Sequence, residues 1–200
     1  MKIKVILNPA ADNGRAGQYH AKILQAAEPF GGLELVLAER PGHAVDLARQ
    51  AAEAGYDVVV AAGGDGTVHE VVNGLFAAGK PSARLGVIPL GCGNDLAFCA
   101  GLARDWATAG PRLVSGQSRL VDLARIEDEN GRAQFFDNNF GLGFDARVVV
   151  QTQKITRLHG FIKYLTAVLH SIAFYSHTPR LEMDFDGELV AQPVLFLAMG

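Results

Sequence analysis

The sequence predicts an α/β protein: a doubly wound parallel sheet over residues 1–118, followed over 119–200 by an antiparallel, β-rich region. Three observations predict it. Short apolar runs alternate with helix-spaced segments through the first 90 residues, the pattern of parallel strands joined by crossover helices. Glycine, 23 of 200 residues, concentrates in polar loops directly after those runs, where backbone must turn sharply or approach a ligand. From about Leu120 the period changes to two, with Asn-Gly and Asp-Gly turn signals.

The elements follow in order. Lys2–Leu7 is short and β-branched and must stop at Asn8-Pro9, since proline has no amide to give a ladder. Ala16–Ala27 carries apolar residues at helical spacing, Leu33–Leu37 is a second strand, and His43–Ala54 is an Ala-rich helix. Asp57–Ala62 reads as a strand buried on both faces. It runs into Gly63-Gly64-Asp65-Gly66-Thr67, after which Val68–Ala77 is helical. Leu85–Ile88 is the fourth strand, ending at Pro89-Leu90-Gly91, and Asp95–Ala100 starts another helix. In the second region, Leu120–Glu127 and Ala133–Phe140 flank Glu129-Asn130-Gly131 as a hairpin. Gly160–Tyr175 is helical, and Leu181–Phe185 turns at Asp186-Gly187 into Glu188–Ala198. The run Leu197-Ala198-Met199-Gly200 stops in mid-strand with no evident partner, so the chain is read as truncated there.

Composition narrows the function classes. With 49% hydrophobic and 20% charged residues the chain is ordinary globular material. A net charge of −3, with 18 scattered Lys and Arg, argues against nucleic acid as a partner and against a polybasic membrane patch. Cys92 and Cys99 are too few for a disulfide framework or a structural zinc site and read as reduced thiols of a cytoplasmic protein. No run approaches the ~20 apolar residues of a membrane span. Any membrane contact is expected to be peripheral.

Strands of a doubly wound sheet present ligands at their carboxyl ends, and three polar loops fall there. In Gly63-Gly64-Asp65-Gly66-Thr67 the amides point out at a helix N-terminus, which favours phosphate. The other reading is a tight turn in which Asp65 or Thr67 caps the helix. Asn8-Pro9-Ala10-Ala11-Asp12-Asn13-Gly14 follows the first strand. Gly91-Cys92-Gly93-Asn94-Asp95 follows the fourth, with Asn94 and Asp95 as helix caps or ligand contacts.

Taken together, Asn8-Pro9 with Gly14, the segment Gly63-Gly64-Asp65-Gly66-Thr67-Val68-His69-Glu70-Val71-Val72-Asn73-Gly74, and Pro89-Leu90-Gly91-Cys92-Gly93-Asn94-Asp95-Leu96-Ala97 resemble the diacylglycerol kinase catalytic-domain family. Val121-Asp122-Leu123, Gly141-Leu142-Gly143-Phe144-Asp145-Ala146 and the Lys163-Tyr164 pair after Gly160 agree with it. The resemblance implies a Rossmann-like nucleotide domain followed by a β-sandwich, a fold shared with NAD kinase. It implies ATP and Mg2+ as cofactors and transfer of the γ-phosphoryl group to the hydroxyl of a lipid, most simply a diacylglycerol, met at a membrane surface. It leaves a homodimer open.

On the same resemblance, Asn8, Pro9, Ala10, Ala11, Asp12 and Gly14 would hold ATP with Gly63, Gly64, Asp65, Gly66, Thr67, Val68 and His69. Glu70, Asn73, Gly91, Cys92, Gly93, Asn94 and Asp95 would complete that set, and Asp65 would stand nearest the transferred group as the catalytic residue. Glu70 and Asn73, one helical turn apart, would tie the loop to its helix or touch nucleotide. The general base and a structural magnesium site are expected beyond Gly200, and no metal ligand is assigned within the chain. Cys92 replaces the family's usual Thr or Ser, and Ala38 stands where relatives place a nucleotide-contacting threonine. The alternatives are an NAD kinase-type enzyme and a catalytically incomplete nucleotide-binding or regulatory protein.

The remaining candidates have plainer readings. His69-Glu70 lacks the second histidine of a zinc protease helix, Asn73 standing in its place. His20, His43, His159, His170 and His177 form no ligand cluster. Cys99, beside Phe98 and Leu102, is expected to be a buried thiol. Phe161, Ile162, Leu165, Val168, Leu169 and Ile172 form a helical stripe expected to pack in the core rather than enter a membrane. Asp145 reads equally as catalytic or as a turn residue.

Overall fold

A computed structural model of the protein describes residues 1–79, 83–102, 118–155, 158, 160–174 and 178–199. The chain divides into two compact units, Met1–Asn138 and Asn139–Gly200. The hairpin that follows residue 118 lies within Met1–Asn138, where Asn73 of a helix bonds to one of its strands.

The first unit is built on four strands, β1 (Ile3–Leu7), β2 (Glu34–Leu37), β3 (Val58–Gly63) and β4 (Arg84–Pro89). They pair in the order β2-β1-β3-β4, every pair parallel. All six residues of β3 are buried, as expected of a strand covered on both faces. Alternation divides it: Val58, Val60 and Ala62 join Ile3, Val5 and Leu7 in one core, whereas Val59 and Ala61 join Ile6 and Val87 in another. The first core is covered by Ala16 and by Ile23 of α2 (His20–Ala27). The second is covered by α3 (His43–Glu53), α4 (Asp65–Ala77) and α5 (Asp95–Cys99), through Ala44, Ala48, Val71, Leu75 and Leu96 among others. Helices on both faces make the sheet doubly wound.

Helix α3 lies against α4 at Gly74, where a Cβ would collide with the Val45 carbonyl and the Ala48 methyl. Lys4, the one charged residue of β1, is largely covered, and its charge is met by Glu34 at 2.9 Å with the Tyr56 ring beneath it. After β4 and α5, strands β5 (Ala124–Glu127) and β6 (Ala133–Phe136) form an antiparallel hairpin with Glu127 opposite Ala133. It turns through Asn130-Gly131, where Gly131 takes the left-handed conformation and Asp128 Oδ1 accepts the Asn130 and Arg132 amides, each at 2.9 Å. The expected hairpin is present with shorter strands.

The second unit contains β7 (Phe140–Gly143), α6 (Phe144–Lys154), α7 (Gly160–Phe174), β8 (Arg180–Phe185), β9 (Glu188–Pro193) and β10 (Phe196–Met199). Four sequence expectations are corrected by this structure. The last strand does have a partner: β10 pairs antiparallel with β7, more than fifty residues upstream, a distance at which sequence pattern carries no pairing information. Glu188–Ala198 is two strands rather than one, broken after Pro193. Asp145 opens a helix, α6, instead of a turn. The stripe on α7 is not core: Phe161 is 74% and Ile162 62% exposed, and Leu165, Leu169 and Ile172 are exposed too. The face that α7 buries is that of Ala167 and Ser171. In the first unit Cys99 is likewise exposed rather than buried, because the short α5 turns Leu96 and Ala97 inward.

His159, His177, Tyr175 and Gly200 fall outside the described residues. Among the described residues no helix is long and apolar enough to cross a membrane.

Candidate functional site

The first, third and fourth strands in sequence, β1, β3 and β4, end in the three loops singled out above, and side chains fasten these loops to one another. Asn8 is the link between the first two. Its amide joins the ladder at the Ala62 carbonyl, 2.9 Å, its Oδ1 accepts the Ala10 amide at 3.0 Å, and its Nδ2 donates to Thr67 Oγ1 at 3.0 Å. The chain then makes one turn, α1 (Ala11–Gly14), in which Asp12, Asn13 and Gly14 all have positive φ. Pro9 and Ala11 are half-buried and Ala10 is exposed.

The second and third loops meet backbone to backbone. A Cβ on Gly91 would fall on Gly64 Cα, and one on Gly64 would meet Gly91 Cα at 3.1 Å. Asn94 closes its own loop, accepting the Gly91 amide at 2.9 Å and donating to the Gly91 carbonyl at 2.6 Å, with its backbone left-handed. Asp65 reaches across. One carboxylate oxygen accepts the Asn94 amide at 2.8 Å and the other the Asp95 amide at 2.6 Å. Asp65 therefore caps α5, not its own helix, whose cap residue Gly64 makes no side-chain bond. A Cβ on Gly93 would strike this carboxylate. Cys92, exposed, brings its Sγ to 3.7 Å from Asp12 Oδ1 and so joins the third loop to the first.

Phosphate chemistry suits this place. At the start of α4 the amides of Asp65 and Gly66 have no intrahelical acceptor by the geometry of a helix, and the dipole of a 13-residue helix favours an anion there. Gly66 is exposed, with nothing within 4 Å of where its Cβ would be.

Several of the expected contact residues make bonds or packing contacts within the protein. Val68 is 3% exposed and packs in the core; Thr67 is equally buried, its hydroxyl accepting from Asn8. Glu70 accepts the Gly42 amide at 3.0 Å and the Ala44 amide at 3.1 Å, one on each oxygen. It thus caps α3, a role that the sequence around Glu70 does not reveal. Glu70→Ala strips both acceptors and is expected to cost roughly 1–2 kcal/mol; thermal or urea unfolding measures it. Asn73 clamps β6, exchanging two 2.9 Å bonds with the main chain of Phe135 and donating also to the His69 carbonyl. The Phe135 ring lies 4.3 Å from that of Phe76 on the same helix. Ala38 is buried beside β1.

One residue of this neighbourhood belongs to no motif quoted above. Asp137 is half-buried just beyond β6. Burial pushes its carboxyl above the ordinary value of 3.8; its own main-chain N–H and the charge of His69 oppose the shift, and Asp65 adds to it. Only the docking of β6 on α4 brings it here, so no local signal could have found it.

A raised carboxyl in the folded state adds stability below the unfolded value, and that contribution is lost as pH rises through the folded value. Ionised Asp137 therefore costs stability at neutral pH. Asp137→Asn is expected to melt above the unsubstituted protein at pH 7, with the difference closing near pH 4 and below, as calorimetry across that range would read.

Among the described residues no group of three or more His, Cys, Asp or Glu is arranged to hold a metal.

The diacylglycerol kinase catalytic domain matches residues 2–126 of the chain. A diacylglycerol kinase of Bacillus subtilis strain 168 is 31% identical over 201 residues, covering 98% of this chain and 64% of that protein. One from Mycobacterium tuberculosis strain H37Rv is 30% identical over 197 residues, covering 97% and 63%. The crystal structure of a diacylglycerol kinase from Bacillus anthracis strain Sterne superposes with a TM-score of 0.72 at 27% identity, covering 98% of this chain and 63% of that one. The chain thus spans slightly less than two thirds of the length of these relatives.

Proposed function

The chain belongs to the diacylglycerol kinase catalytic domain family, and from that premise we propose that it serves ATP- and magnesium-dependent transfer of the γ-phosphoryl group to the hydroxyl of a lipid, a diacylglycerol or a close analogue. The observation that carries this reading is the fastening of three strand-end loops around the N-terminus of α4 by Asn8, Asp65 and Asn94. Phosphoryl transfer asks a protein for positioning and for charge placed in advance, and little covalent chemistry. Loops that cannot move independently meet that demand.

In this reading the amides of Asp65 and Gly66 donate to phosphate oxygens. The left-handed turn after Asn8 lets main chain approach from the opposite side, and Asp65 keeps the third loop in register while facing the acceptor. The donor set fits a magnesium nucleotide: the ion commonly takes one or two carboxylates beside the phosphates themselves, and Asp65 supplies a carboxylate at the right end of the helix. Asp65 would help hold such an ion, which would supply positive charge to offset that of the phosphates. The acceptor hydroxyl oxygen forms the new bond to phosphorus as the bond to the β,γ-bridging oxygen breaks; ADP leaves, and the hydroxyl proton passes to water. Cys92 offers a thiol where relatives offer a hydroxyl, a weaker donor. A lipid acceptor places the protein peripherally at a membrane surface, consistent with the lack of a spanning helix among the described residues.

The test is transfer from γ-labelled ATP with magnesium to a panel of diacylglycerol, phosphatidylglycerol, sphingosine, ceramide and NAD. Label in diacylglycerol is the expected result. Label in another lipid moves the substrate within the class, label in NAD overturns the lipid reading, and nucleotide binding without label anywhere leaves a binding protein.

A further inference from the structure

The second unit carries a groove of about 350 Å³ along α6, at the small end of ligand-binding cavities. Gly143, Ala146, Arg147, Val150, Gln151 and Lys154 line it, and their helical spacing puts all six on one face. The N-terminal end of the groove is fixed by close packing. Gly143 has φ +82, a Cβ there would meet the Leu195 carbonyl at 2.6 Å, and the Phe144 amide donates to that same carbonyl at 3.0 Å.

The groove is cationic in a chain that is not. Across residues 144–175 Asp145 is the one acid, against Arg147, Lys154, Arg157 and Lys163, whereas the whole chain has a net charge of −3. Asp145 does not neutralise the groove. At about 100° per residue it falls on the far side of α6 from Lys154, and its carboxylate lies over Gly141, where a Cβ would strike it. Arg147 and Lys154 are exposed, two turns or about 10 Å apart along the helix axis. Lys154 makes no ion pair among the described residues.

Two surface cations need no cavity. A cavity that sets an amide and an apolar wall between them recognises an anion that has a body. Arginine forks onto phosphate oxygens two at a time, lysine meets them as a point charge, and a glutamine NH2 adds a neutral donor. Three such donors exceed what one carboxylate uses and suit the oxygens of a phosphate. We propose that the α6 groove is a binding site for a phosphate ester: Arg147, Lys154 and Gln151 take the phosphate, and Ala146 and Val150 cover the carbon attached to it. The ester is either free in solution or the headgroup of a lipid. The site stands apart from the nucleotide reading, since every lining residue belongs to Asn139–Gly200.

The experiment is an amide NMR titration of the protein with sn-glycerol 3-phosphate, with dihexanoyl phosphatidic acid and with dihexanoyl phosphatidylcholine. The first two are expected to move the amides of Gly143–Lys154 saturably; the third, whose own cation sits beside its phosphate, is not. Phosphatidic acid bound about tenfold or more tighter than glycerol phosphate assigns the lipid source, and equal affinities assign the free ester. Arg147→Gln and Lys154→Gln should each weaken binding about fivefold, with Lys154→Arg restoring it. Lys22→Gln, on α2 of the first unit, removes one positive charge elsewhere and should change nothing. Thermal melts establish that each variant is folded. Raising salt from about 50 to about 300 mM should weaken binding by the unsubstituted protein, a check that needs no variant. Shift changes that stay outside Gly143–Lys154, phosphatidylcholine bound as well as phosphatidic acid, or a double Arg147→Gln, Lys154→Gln variant that binds within about twofold of the unsubstituted protein would each overturn the inference. None of these outcomes touches the nucleotide reading, which ATP tests separately at Gly63–His69.

Discussion

Asp65→Asn is expected to lower phosphoryl transfer by roughly a hundredfold or more, with a much smaller change in affinity for magnesium ATP. The substitution keeps the side chain's shape and removes its charge. It also turns one of two acceptor oxygens into a carboxamide NH2 donor, so one of the amides of Asn94 and Asp95, now bonded at 2.8 and 2.6 Å, must lose its partner. That part of the damage is structural, on the order of 1–3 kcal/mol for a charge-assisted bond, and appears as a lower melting temperature. The two effects are separable. Asp65→Glu retains the charge but displaces the oxygens, and should lose stability and activity together. Transfer by Asp65→Asn within threefold of the unsubstituted protein would remove Asp65 from the chemistry and leave it as the cap of α5.

Gly91→Ala should be nearly as damaging by a different route. Its Cβ would land on the Gly64 backbone, which has no side chain to swing aside, so the second and third loops must part. Overpacking of this kind costs roughly 1–3 kcal/mol, and a shift of a phosphate-binding main chain by about an ångström weakens binding by tenfold or more. Gly66→Ala is the informative companion. Nothing lies within 4 Å of its Cβ and alanine is the better helix former by about 1 kcal/mol, so stability should hold or rise. If phosphate occupies the space in front of that turn, nucleotide affinity falls all the same. Equal stability losses in both variants would mean that the Gly64–Gly91 contact is looser than the structure has it.

The scaffold of this site is legible in the sequence because each part of it is local. A β-branched run stopping at Asn8-Pro9, a strand buried on both faces running into glycines, and a proline-glycine exit from the fourth strand each announce themselves within ten residues. What joins the parts is not local. Asp65 caps a helix thirty residues on, Glu70 caps one more than twenty residues back, and Asn73 holds a strand sixty-two residues away. From the sequence Asp65 reads as a loop residue that caps its own helix or serves the chemistry, and Glu70 and Asn73 as ties within that helix or nucleotide contacts; none of these readings reaches the distant partner.

Hydropathy misled in the second unit for a related reason. Helical spacing of Phe161, Leu165, Leu169 and Ile172 establishes an apolar face but not what meets it, and the structure leaves that face exposed while burying Ala167 and Ser171. The partner of β10 is a tertiary fact of the same kind.

The central claim is that the loops after β1, β3 and β4 form one nucleotide site around the start of α4. The most direct test is backbone amide NMR of the protein titrated with magnesium ATP. The account predicts the largest shift changes at Asn8–Gly14, Gly63–His69 and Gly91–Asp95 together, saturating with a single dissociation constant and weakened in Gly91→Ala. Changes confined to other segments, or saturable binding that leaves Gly64, Asp65 and Gly66 unmoved, would contradict it.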